Sequence, residues 1–134
     1  MATMTLLGAV TLPGFDQSVA HARRFVGGLV GHDHRRFDDA RVITSELVTN
    51  SVQHSRSGRG GLVVVVVEAD EDVIQISVID DGAQDKEPHV RDDPSAEDGR
   101  GLLIVDNLAD KWGVEAEDQY TAIWVHLEIP DSTV

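Results

Sequence analysis

The stretch Glu46-Leu47-Val48-Thr49-Asn50 places a carboxylate and a carboxamide one helical turn apart, in a segment whose apolar residues recur at helical spacing. On a helix these two side chains lie about 40° apart, and His54 lies about 40° further round. An amide oxygen is a ligand that Mg²⁺ accepts, and a nearby carboxylate can deprotonate a nucleophile. A charged surface helix with a hydrogen-bonded asparagine fits the same pattern, so this segment alone leaves both interpretations open.

Two further short signatures follow in order, Asp80-Asp81-Gly82 and Gly99-Arg100-Gly101-Leu102. The first fits an ordinary strand-ending turn. It also fits a turn whose carboxylate accepts a hydrogen bond from the exocyclic amine of a purine. The second fits a glycine-rich start of a helix. It also fits a helix N-terminus whose free N–H groups attract an anion. Each signature is common by itself, but the three in this order predict a nucleotide site.

Length and composition set the class of protein. The chain has 134 residues and no cysteine, which predicts a single domain over residues 1–134 that folds without disulfides. A formal net charge of −13 argues against binding to nucleic acid or to an anionic membrane surface. No apolar run approaches the roughly 18 residues that span a bilayer, and no charged region precedes a signal-like segment. We therefore expect a cytoplasmic protein.

Hydrophobic patterning predicts five strands and three helices. The strands are expected at residues 5–12, 62–69, 73–80, 112–117 and 121–129, and the helices at 18–30, 38–54 and 101–110. The nearly continuous valines of residues 62–69 indicate a strand covered on both faces or one at the centre of a sheet. An acidic turn at 70–72 predicts a hairpin, and the aperiodic segment 83–98 predicts a lid loop.

The order of the three signatures resembles that of the GHKL, or Bergerat-fold, ATP-binding domains, specifically the small anti-sigma-factor serine/threonine kinases of bacteria. Residues 46–54 are similar to the N-box of that family, residues 80–82 to its first glycine box, and residues 99–105 to its second. Residues 106–113 and the last strand are also typical of the anti-sigma branch. The resemblance implies a two-layer α/β sandwich, with a mixed, mostly antiparallel sheet and helices on one face.

The resemblance also implies roles for individual residues. Glu46 is similar to the general base and Asn50 to the Mg²⁺ ligand, while Asp80 is similar to the acid that reads adenine and Gly82 to the residue beneath the ring. The other nucleotide-binding residues that it implies are His54, Gly99, Arg100, Gly101, Leu102 and Thr121.

The function implied is that of an ATP- and Mg²⁺-dependent kinase, which phosphorylates Ser or Thr of an anti-anti-sigma (STAS-like) partner or sequesters a sigma factor, often as a homodimer. Two departures from the family pattern bear on whether the kinase is active. Gln84 stands where a glycine is common, and Tyr120-Thr121-Ala122 replaces a Gly-Lys-Thr-like run. They leave open a catalytically weak or inactive, nucleotide-gated binding module. A histidine-kinase fragment is disfavoured, because only 45 residues precede Glu46.

Overall fold

Five strands and three helices lie within residues 3–54, 61–82 and 97–130, the parts of the chain that the computed structural model describes. For His54 and residues 97–101 only the backbone is described. In chain order the elements are β1 (Thr5–Pro13), α1 (Gln17–Val30), α2 (Phe37–His54), β2 (Leu62–Ala69), β3 (Val73–Asp80), α3 (Glu97–Leu108), β4 (Lys111–Ala116) and β5 (Thr121–Glu128). All the elements predicted from the sequence are present in the predicted order.

The element boundaries agree with the prediction to within two residues, except at the start of α3. That helix was expected to begin at Gly101, but it begins at Glu97, so Gly99 lies inside its first turn. A glycine within a helix costs only about 1 kcal/mol relative to alanine.

The strands form one sheet in the order β1-β2-β3-β5-β4, and every neighbouring pair is antiparallel. The parallel pairing expected in a mixed sheet therefore does not occur among the described strands. The β2–β3 hairpin closes through its acidic turn, as predicted. Asp70 Oδ1 accepts the N–H of Asp72 at 2.7 Å and the N–H of Val73 at 2.8 Å. This local bonding is the reason that aspartate favours tight turns.

The hydrophobic core lies between one face of the sheet and the helices. Along β2, Val63, Val65 and Val67 are fully buried, whereas Val64 and Val66 are partly exposed. The valine run therefore marks an interior strand with one covered face within the described structure. The helices contribute Ala22, Val26, Ala40, Ile43, Leu47, Val48, Leu102 and Val105 to this core. The two-layer α/β sandwich is thus confirmed. None of the described helices is long and apolar enough to cross a membrane.

One arginine immediately before α2 joins α2, α3 and β5. The Arg36 side chain is 14% exposed, and its Nε donates to Asp39 at 3.1 Å. Its Nη1 donates to Asp110 Oδ2 at 3.0 Å and to the Glu128 carbonyl at 2.8 Å, while Nη2 donates to the Leu108 carbonyl at 3.1 Å. A guanidinium suits this position because it presents several donors in a fixed plane. The contacts fasten the end of α3 and the end of β5 to α2.

We predict that Arg36→Met destabilises the protein by about 2 kcal/mol, because it removes charge-assisted hydrogen bonds from a site that is only partly open to solvent. Urea denaturation measures the loss. The exposed neighbour Arg35 supplies the control, Arg35→Met, which should change stability by less than about 0.5 kcal/mol. Equal effects of the two substitutions would contradict this role for Arg36.

The stability difference between the wild type and Arg36→Met should also depend on pH. The N–H of Glu128 lowers the pKa of Asp110 most strongly. Desolvation raises it, and the hydrogen bond and charge of Arg36 lower it again, so the net pKa is lowered. Stabilisation by this carboxylate is present above its unfolded pKa and is lost as the pH falls through the lowered folded pKa. The difference between the wild type and Arg36→Met should therefore narrow at acid pH.

Candidate functional site

Helix α2 carries the first group of candidate residues along the margin of its buried face. Asp38 and Asp39 in its first turn complement the helix dipole. The face toward the sheet buries Ala40, Ile43, Thr44, Leu47, Val48 and Ser51. Glu46 and Asn50 lie beside that face and are half-buried. Within the described residues, neither side chain has a hydrogen bond or an ion pair. Both therefore offer polar atoms to a ligand.

Partial burial also affects the chemistry of Glu46. Desolvation raises the pKa of this carboxyl above its ordinary value. A carboxylate with a raised pKa is a stronger base, because it binds a proton more readily. The geometry of α2 therefore places a basic carboxylate one turn before an amide on the same side of the helix.

The second group lies at the end of β3. Asp80 is only 8% exposed, and its Oδ1 accepts the N–H of Gly82 at 2.8 Å. Burial raises the pKa of Asp80 most strongly. The nearby Ser51 hydroxyl and the Gly82 N–H oppose this rise, and the adjacent charge of Asp81 adds to it. A buried carboxylate with uncharged donors is a strong hydrogen-bond acceptor, suited to an amine on a ligand.

The turn after Asp80 requires a glycine for conformational reasons. Gly82 has φ +90°, a left-handed value that other residues rarely adopt. A side-chain carbon at this position would lie 3.5 Å from the Tyr120 backbone, which is an ordinary contact distance. The backbone dihedral angle, and not a lack of space, is therefore the reason that glycine is required. Thr121 pairs with Asp80 across β3 and β5 and is 3% exposed. Asp81 ties the turn to β2, because its Oδ2 accepts the N–H of Leu62 at 3.1 Å.

The third group belongs to α3. The first two turns of this helix contain Gly99, Arg100 and Gly101. The structure describes only the backbone of these residues and of His54 at the end of α2. The first four N–H groups of a helix have no partner inside it, which keeps those near Gly99 suitable for an anion. The Leu102 side chain is 2% exposed and packs in the core. The lid predicted for residues 83–98 lies outside the described residues up to position 96.

Asp80 and Thr121 pair at one end of the sheet, and α2 packs against the strand of Asp80. Helix α2 packs against β3 and α3, and its Ser51 hydroxyl lies near enough to Asp80 to lower the pKa of that acid. Asn50 is therefore adjacent in sequence to a residue that lies near Asp80, and Thr121 lies opposite that acid. The sequence analysis missed Ser51. Its signal was a polar residue one turn after Leu47 on the buried face, where an apolar residue is the rule.

Comparisons with known proteins agree with this geometry. The family profile of the histidine kinase-like ATPase domain matches residues 14–127. The anti-sigma F factor of Clostridium acetobutylicum is 29% identical over 87 residues, covering 60% of this chain and 61% of that protein. The serine-protein kinase RsbW of Bacillus pumilus is 30% identical over 110 residues, covering 72% of this chain and 68% of that protein. The chain thus spans less than two thirds of the length of the Clostridium relative.

A solved structure shows the same fold. The crystal structure of the RsbU and RsbW domains of a Mycobacterium tuberculosis protein matches 95% of this chain and 34% of its own, with a TM-score of 0.61. At 18% identity this similarity concerns the fold alone.

The buried acid gives a testable pH dependence of stability. Because the folded pKa of Asp80 is raised, its contribution to stability is fully present below the unfolded pKa and is lost as the pH rises through the folded pKa. Asp80→Asn removes this loss, so the wild type should become less stable relative to Asp80→Asn as the pH rises from the unfolded pKa of aspartate through the raised folded pKa. Denaturant unfolding across this range measures the difference, and Glu71→Gln, at an exposed acid, controls for the loss of one negative charge. A difference that stays constant with pH would contradict the assignment.

Proposed function

The chain belongs to the histidine kinase-like ATPase domain family, and we propose that it is an ATP-binding regulator of the anti-sigma type. In this proposal a single domain over residues 1–134 phosphorylates Ser or Thr of an anti-anti-sigma (STAS-like) protein, sequesters a sigma factor, or does both. The names of its relatives, an anti-sigma F factor and a serine-protein kinase, support this proposal. We expect the protein to act in the cytoplasm and to associate with a second copy of itself.

The observation that carries the proposal is the pair formed by Glu46 and Asn50. Both side chains are half-buried on one side of α2, and neither has a hydrogen-bonding partner among the described residues. Both side chains are partly exposed, so a ligand can replace the water that hydrogen-bonds to them. A ligand that supplies a cation and a hydroxyl group to this side of the helix would satisfy both.

The base of ATP would lie at the end of β3. In the proposal Asp80 accepts a hydrogen bond from the adenine amine, Gly82 allows the ring to approach the backbone, and Thr121 borders the same place. His54, Gly99, Arg100 and Gly101 are retained as nucleotide contacts on the strength of the family resemblance. Leu102 would take part through its backbone, since its side chain is in the core.

The donors present also suit Mg²⁺. Among the described residues, no group of three or more His, Cys, Asp or Glu side chains is arranged to hold a metal ion. A cation at Asn50 would therefore share its coordination with nucleotide phosphates, which is how proteins usually bind Mg²⁺. When bound there, the ion would neutralise charge on the phosphate oxygens.

The proposed chemistry assigns the proton transfer to Glu46. Its carboxylate accepts the proton of a Ser or Thr hydroxyl while the hydroxyl oxygen forms a bond to the γ-phosphorus. The bond from that phosphorus to the bridging oxygen breaks, and ADP leaves with the electron pair. Desolvation favours this role, because it moves the pKa of Glu46 upward, toward the pH at which a general base works best.

Two substitutions on α2 should separate binding from chemistry. Asn50→Ala should lose most of the Mg²⁺-dependent nucleotide affinity, because it removes the amide oxygen that we assign to the cation. Glu46→Gln should bind Mg-ATP nearly normally yet transfer phosphate roughly 10²–10⁴-fold more slowly. Calorimetry measures binding, and transfer is followed with labelled ATP and the anti-anti-sigma proteins of the same organism.

Gln53→Ala provides the matched control, since Gln53 is exposed on the same helix. It should leave both binding and transfer unchanged. Undiminished nucleotide affinity in Asn50→Ala would remove Asn50 from the site. If the wild type phosphorylates no partner, but its partner affinity differs between ATP and ADP, the nucleotide-gated binding module replaces the kinase.

A further inference from the structure

One face of the sheet has no covering element among the described residues, and it is more apolar than a face in water usually is. The helices pack on the opposite face, where Val63, Val65 and Val67 are fully buried. An antiparallel sheet with one face in water normally alternates apolar and polar residues. The uncovered face, which we call the open face, has at its centre side chains that are partly exposed and mostly apolar: Val64, Val66, Ser77, Ile79, Ala122 and Trp124.

Strand pairing arranges the open face in rows that run across the sheet. The central row is Ala9, Val66, Ser77, Trp124 and Gly113, one residue from each strand. The Trp124 ring lies against Gly113, where a side-chain carbon would be only 2.7 Å from it. The glycine thus makes room for a large aromatic side chain that stays partly exposed, and aromatic residues are enriched in protein interfaces. The row next to it, on the side of the candidate site, is formed by Thr11, Val64, Ile79, Ala122 and Glu115.

The third row, on the side of the β2–β3 turn, has charges of opposite sign at its two ends. It is formed by Leu6, Glu68, Gln75, His126 and Lys111. Gln75 holds the middle of the row, because its Nε2 donates to Glu68 Oε1 at 3.2 Å and its Oε1 lies 2.6 Å from His126 Nε2. The negative charge therefore lies on the β2 side of the sheet, and the positive charge lies at the β4 edge.

We propose that the open face binds a second copy of this chain, with the two sheets packed face to face about a two-fold axis parallel to β3. Such an axis places β2 of one copy over β5 of the other, because β3 is the middle strand. Glu68 then lies over His126 and beside Lys111 of the second copy, and Val66 lies over Trp124. Each contact is made twice, as a two-fold interface requires. The inference rests on the self-association expected in the proposed function, for which it names the surface, and it does not require nucleotide binding.

The charge of the chain favours this occupant over a charged partner. At a net charge of −13, two copies repel each other unless the surface between them carries little charge. The three rows contain two acids, Glu68 and Glu115, against the cation Lys111, so the open face is close to neutral. A strongly basic or acidic partner would find no matching excess of charge there.

The size of the open face is sufficient for a dimer. Five strands about 4.8 Å apart, with about six residues at about 3.4 Å each, span roughly 24 Å by 20 Å. Each copy therefore offers about 500 Å², and the pair would bury about 1,000 Å², which is the lower limit for a specific interface. The distance of about 10 Å between packed sheets leaves room for the Trp124 side chain.

Sedimentation equilibrium of the wild type, Val66→Glu and Gln17→Glu tests the proposal. We expect the wild type to be a dimer. Val66→Glu should raise the dimer dissociation constant at least about 100-fold, because each dimer would then hold two unpaired carboxylates against Trp124. Gln17→Glu adds the same charge at an exposed position on α1 and should match the wild type. A monomeric wild type, or a Val66→Glu variant as dimeric as the wild type, would overturn the proposal.

Charge reversal at the third row tests the arrangement without placing a charge among apolar side chains. Glu68→Lys should weaken the dimer roughly fivefold, and adding Lys111→Glu should restore most of the loss, because the attraction across the axis is then reversed and not removed. No weakening in the single variant, or no recovery in the double variant, would overturn the face-to-face arrangement.

Calorimetry with Mg-ATP on the same proteins separates this inference from the proposed function. A wild type that binds Mg-ATP as a monomer would overturn the inference and leave the nucleotide site intact. A wild type that forms the predicted dimer but binds no nucleotide would support the role of the open face and overturn the nucleotide site.

Discussion

The packing of α2 against the sheet is the constraint on which the rest of the structure depends. The helix buries Ile43, Leu47 and Val48 completely, and this fixes its rotation over β3. Once the rotation is fixed, Glu46 and Asn50 necessarily lie at the margin of the interface, half-buried. The same rotation brings Ser51 near Asp80. Core packing and the arrangement of the candidate site are therefore consequences of one interface.

A buried acid without a cationic partner among the described residues is costly, and the fold retains one at the end of β3. Asp80 is 8% exposed, and its Oδ1 accepts the N–H of Gly82. Buried groups with perturbed pKa values concentrate at functional sites, although structural networks also contain them. By contrast, Asp110 has a lowered pKa and belongs to the brace around Arg36, which holds elements together. The two acids therefore differ: Asp110 has an ion-pair partner in the fold, whereas Asp80 has none among the described residues.

Local patterns in the sequence predict most of the fold. β2 and β3 have the predicted bounds because an apolar run and an acidic turn determine them within a few residues. The predicted start of α3 was wrong because glycine was read as a helix boundary, whereas Gly99 and Gly101 both lie inside the helix. The brace at Arg36 has partners up to 92 residues away, so no local pattern indicates it.

In the candidate site, too, only some features could be predicted from local sequence patterns. Helical periodicity places Glu46 and Asn50 on one side of α2, and an acid–glycine turn marks Asp80 and Gly82. The proximity of Ser51 to Asp80 depends on how a helix is set against a strand, which the spacing of residues does not specify. The roles assigned to all of these residues remain predictions, because geometry shows where they lie and not what they bind.

The central claim is that the end of β3 and the half-buried side of α2 together form an adenine nucleotide site. A crystal structure with Mg²⁺ and a non-hydrolysable ATP analogue tests it most directly. The account predicts that the adenine amine lies within about 3 Å of an Asp80 carboxylate oxygen, a normal hydrogen-bond distance, and that the Asn50 amide oxygen contacts the metal ion. A nucleotide bound elsewhere on the chain, or a base that does not contact Asp80, would contradict it.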